Sequence, residues 1–69
     1  MNATDVERLV RDVIAHRGLP FTVLSVTSHP SGWKIEVRTD MGAVVSFPLS
    51  DGVPVAMRTA IEEMLEAQF

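Results

Sequence analysis

Between residues 6 and 14 the apolar side chains fall at helical spacing. Val6, Leu9, Val10, Val13 and Ile14 follow i, i+3, i+4, i+7 and i+8, a single stripe on a helix whose other faces are polar. Thr4, followed three residues later by Glu7, has the spacing of a capping box. In that arrangement each side chain satisfies a backbone N–H that the first turn leaves without a partner. Asp5 adds negative charge where the helix dipole favours it. The stop is also readable: His16 and Arg17 supply basic side chains to the last turn, Gly18 suits a left-handed closing residue, and Pro20 prevents continuation.

The hydrophobic period then shortens. "FTVLSVTS" (21–28) is rich in β-branched residues, and "WKIEVRT" (33–39) alternates strictly, with Trp33, Ile35 and Val37 on one face and Lys34, Glu36 and Arg38 on the other. Such alternation describes an antiparallel strand with one face buried. "AVVSFPL" (43–49) carries Pro48 near its end, which suits an edge strand because proline donates nothing to a ladder. A three-residue loop, Asp40-Met41-Gly42, sets Val37 opposite Val45, Ile35 opposite Phe47 and Trp33 opposite Leu49. A two-residue loop would set Val37 against Val44 and Ile35 against Ser46, a poorer apolar match. The three-residue loop is expected, with Gly42 in its left-handed position.

For the first hairpin, a four-residue loop His29-Pro30-Ser31-Gly32 pairs Ser28 with Trp33, Val26 with Ile35 and Leu24 with Val37. Phe21 and Val23 then point to the opposite face together with Val44, a candidate apolar interaction surface. A second helix spans roughly 53–67, with Ala56, Met57, Ala60, Ile61, Met64 and Leu65 as its inward stripe, Pro54 in its first turn, and Glu62, Glu63 and Glu66 on its solvated face. The fold class is therefore α+β in the order α-β-β-β-α, a three-stranded antiparallel meander with two helices packed on one face.

Sixty-nine residues make one small domain, 1–69, with a core that covers only about 60% of the surface exposed by the unfolded chain. No cysteine is present, so neither a disulfide nor a thiolate metal site reinforces it, and a homodimer would be one way to gain stability. The net charge of −3, with one lysine and five arginines, and a pI near 5.1 argue against a general polyanion binder, whose affinity comes from clustered cations. The first residues have no basic and apolar leader pattern, and no apolar run approaches the ~20 residues that span a bilayer. A cytoplasmic protein without a membrane partner is the expectation.

Few residues carry candidate chemistry. His29 has a side chain suited to proton transfer near neutral pH, but no Asp or Glu lies within six residues of it. "HPSG" is also ordinary turn chemistry, proline presetting φ and glycine supplying positive φ. His16 shares a helix face with Asp12 but has no metal-ligand set around it. Trp33 and Phe47 alternate with core positions, so they read as core rather than as a stacking platform. Met57 and Met64 could floor an adaptable groove, but within an Ala/Ile/Leu stripe they read as core fillers. Lys34 and Arg38 are expected to pair with exposed partners across strands. The four glycines sit at element boundaries rather than in a phosphate-binding loop. No cofactor or metal is expected.

The order α-β-β-β-α resembles that of double-stranded-RNA-binding domains and of HicA-type toxins. In the former a lysine cluster opens the second helix; here that region reads "DGVPVAMRTA", with Arg58 its only cation. In the latter a Gly-Ser-His run enters the second strand; here Ser28-His29 follows Thr27. The resemblance implies RNA binding or cleavage with His29 as the catalytic group. The residues themselves favour a different expectation, a small non-enzymatic protein-interaction module that associates with a protein partner or with itself, by pairing an edge strand or by burying the face of Phe21, Val23 and Val44.

Overall fold

A computed structural model describes residues 2–68. Helix α1 (Ala3–Arg17) is followed by strands β1 (Thr22–His29), β2 (Gly32–Arg38) and β3 (Val44–Ser50), and then by helix α2 (Pro54–Glu66). The strands form one antiparallel sheet in the order β1-β2-β3. α1 rests on β1, α2 rests on β3, and the two helices touch each other. The core lies between the layers: Val6, Val10 and Val13 of α1 and Met57, Ile61 and Leu65 of α2 meet Trp33, Ile35, Val37, Phe47 and Leu49 of the sheet. The period-3.6 and period-2 stripes are thus two sides of one apolar layer.

The N-cap of α1 lies two residues earlier than expected. Asn2, not Thr4, is the N-cap: its side chain accepts from the Asp5 amide at 2.9 Å, and the Asp5 carboxylate accepts from the Asn2 amide at 3.3 Å. Both pairs have capping-box spacing, and the earlier one wins because it lets the helix gain another half turn. At the far end Leu19 donates to the Ile14 carbonyl at 3.0 Å and Gly18 to the Ala15 carbonyl at 3.3 Å, the paired bonds of a Schellman closure.

The second hairpin has the expected register, with Val37 opposite Val45, Ile35 opposite Phe47 and Trp33 opposite Leu49. Thr39 donates to the Ala43 carbonyl at 2.8 Å to close the three-residue loop, and Gly42 has φ 84°. In the first hairpin Ser28 faces Trp33 and Val26 faces Ile35 as expected, but the strands continue to His29 and Gly32, leaving Pro30 and Ser31 as the turn.

The first hairpin then departs from its expected register. A bulge between Val23 and Ser25 sets Val23, not Leu24, opposite Val37. An extra residue in one strand inverts which side chains face the core beyond it. Phe21 and Val23 therefore enter the core at 8% and 7% exposure, while Leu24 becomes exposed. The alternation in "FTVLSVTS" is out of phase across the bulge, which is why a straight strand misplaces its first half.

Candidate functional site

The helix layer covers one face of the sheet, so Lys34, Glu36 and Arg38 of β2 and Ser46 and Pro48 of β3 lie on the uncovered face. Ser25 donates to the Glu36 carboxylate at 3.1 Å. Among the described residues neither Lys34 nor Arg38 is in an ion pair, contrary to the expected cross-strand pairing. Val44 remains exposed at 57%, but with Phe21 and Val23 in the core the three do not form one surface.

His29 ends β1 and is exposed, with its Nδ1 at 3.1 Å from Ser31 Oγ. It borders a depression of about 200 Å³ shared with Lys34, Ser46 and Pro48. Among the described residues no carboxylate bonds to its ring, and the Ser31 hydroxyl can donate or accept, so it selects neither tautomer for a general base. Trp33 is buried, and its indole N–H has no hydrogen-bond partner among the described residues. His16 is exposed in the last turn of α1, and no three His, Asp or Glu side chains among the described residues converge as metal ligands.

The arginines are held differently from what their positions suggest. Arg58 pairs with Asp12 of α1 and stands 3.8 Å from Glu62 on its own helix. Arg17 bonds Glu62 through Nε at 2.9 Å and pairs with Glu66 at 3.0 Å. Glu62, expected on the solvated face, is partly covered and bridges both arginines. The hydrogen bond from Arg17 and then its positive charge hold the Glu62 carboxyl below the usual carboxylate range, against partial desolvation. The same bond and the charges of Glu62 and Glu66 raise Arg17 further. The one cation at the start of α2 is therefore committed to joining the helices.

Met57 and Met64, which read as core fillers in the sequence, border a groove of about 330 Å³ between the end of β3 and α2. Leu49 and Met57, both 2% exposed, lie at its base, with Met64 and Ala60 partly buried beside them. Ala56, assigned to the inward stripe, is exposed at its mouth. The signal was present: six apolar positions in α2 make a stripe wider than the face that the sheet covers, and the surplus lines the groove. No helix among the described residues is long and apolar enough to cross a membrane. Comparison with family models, with curated proteins and with solved structures finds no match to this chain.

Proposed function

We propose that this protein is a small non-enzymatic interaction module that docks a protein partner in the groove between β3 and α2. The observation that supports this reading is the groove itself, an opening among the described residues where Ala56, Ala60 and Met64 stand partly or fully exposed over the buried Leu49 and Met57. An unfilled apolar concavity of this kind supports side-chain docking better than it supports catalysis. Self-association, with a second copy as partner, belongs to the same reading.

The test is capture from a cell lysate with the tagged wild-type chain and with Ala56→Arg, which places charge at the exposed mouth of the groove. A stoichiometric protein retained by the wild type after nuclease treatment, and lost by the variant, is expected. Sedimentation equilibrium of the pure protein asks whether that partner is a second copy. RNA that elutes steeply with salt would instead favour the reading as an RNA-binding or RNA-cleaving protein, with His29 in the catalytic role. Against that alternative stands the commitment of Arg58 to Asp12 and Glu62. Ribonuclease activity that His29→Ala abolished would revive it.

A further inference from the structure

We infer that the occupant of this groove is an amphipathic helix with basic flanks, a partner class defined by the groove's edges. The inference rests on the interaction reading above and narrows it. The exposed Asp51 and Glu63 stand at the rim, and no lysine or arginine lines the groove. Neither carboxylate is in an ion pair among the described residues. An apolar base under an acidic rim complements a helix whose apolar stripe is flanked by Lys or Arg, and repels one flanked by Glu. Met64, partly exposed at the groove, gives it a surface that adapts to different side chains.

An added strand is the competing occupant, and β3 disfavours it. Thr39 and Ala43 form a hydrogen-bonded pair, so by alternation the main-chain groups of Val45, Phe47 and Leu49 point toward β2. Those of Val44, Ser46, Pro48 and Ser50 point outward. Pro48 thus removes one outward donor from the strand edge that borders the groove, a device that disfavours strand addition. What remains is docking by side chains, the mode of a helix in a groove.

The experiment is selection against the immobilised full chain from a displayed library of helical peptides, with a fixed leucine stripe and with flanks randomised among Lys, Ser and Glu. Lys-flanked helices should dominate, and their affinity should fall about tenfold or more for Ala56→Arg. For Glu63→Lys, the preference should move toward Glu-flanked helices. Both positions are exposed, and circular dichroism melts of the two variants check that they fold. Enrichment without a charge preference, a preference unmoved by Glu63→Lys, or no enrichment at all would overturn the inference. If the lysate capture still returned an Ala56-dependent protein partner, the interaction reading would survive that result. Loss of both would remove the two together.

Discussion

Gly32 shows how one residue can carry two constraints of which only one is visible in the chain. In the sequence it is the last residue of "HPSG" and reads as a turn glycine. In the fold it opens β2 with φ 145°, and a Cβ built there would lie 2.2 Å from the Leu49 carbonyl oxygen. The second constraint comes from β3, whose register pairs Gly32 with Ser50, 18 residues away. Gly42 has positive φ as well, but open space where its Cβ would stand. Gly32→Ala should therefore cost about 3 kcal/mol or more, combining strain with a backbone clash, whereas Gly42→Ala should cost about 1–2 kcal/mol from strain alone. Urea unfolding of the two variants separates these; equal losses would mean that clearance is not what selects glycine at 32.

The elements themselves were legible because their periodicity is strong, and their ends were less so because end signals repeat. Near the start of α1 the chain offers both Asn2/Asp5 and Thr4/Glu7, and spacing cannot rank them. The structure uses the first. Asn2→Ala should then lower stability by about 1 kcal/mol. Thr4→Ala, inside the first turn, should be close to neutral because alanine is the better helix former. Thermal melts of the pair decide the matter, and the reverse order would move the cap to Thr4. β1 illustrates a harder case. Nothing in "FTVLSVTS" marks where a bulge falls, since both phases of its alternation offer apolar residues. The bulge is settled by the core, which gains Phe21 and Val23 if the phase shifts and loses them if it does not.

At the scale of the whole molecule, 36 residues lie between the end of α1 and the start of α2, and Glu62 joins the helices through Arg17. The lowered Glu62 carboxyl makes this contact sensitive to acid. As pH falls through the ordinary carboxylate value of about 4.3, the unfolded chain takes up a proton that the folded chain still refuses. The stabilisation by this contact is therefore complete above that value. It drains away as pH falls through the lower folded value. Urea midpoints of wild type and Glu62→Gln should differ near neutral pH and converge in acid, once the pH falls below the lowered folded value, and added salt should narrow the gap at neutral pH. A gap that persisted in acid would show that Glu62 acts through packing rather than charge.

By itself the sequence determined what neighbours in the chain can decide. The apolar period assigned two helices and three strands. Gly42 and the apolar match of Ile35 with Phe47 set the second hairpin, because a short loop leaves few registers and the alternative sets Ile35 against Ser46. The candidate surface of Phe21, Val23 and Val44 failed for the complementary reason. Its geometry depends on a bulge that is stabilised by residues of α1 and β2 rather than by β1 itself. The groove between β3 and α2 belongs to the same category: Leu49 and Met57 are eight residues apart in sequence, and whether Met64 and Ala60 seal against the sheet or border an opening depends on how α2 sits on β3. Periodicity records which side of an element is apolar; only the packed structure decides how much of that side another element covers.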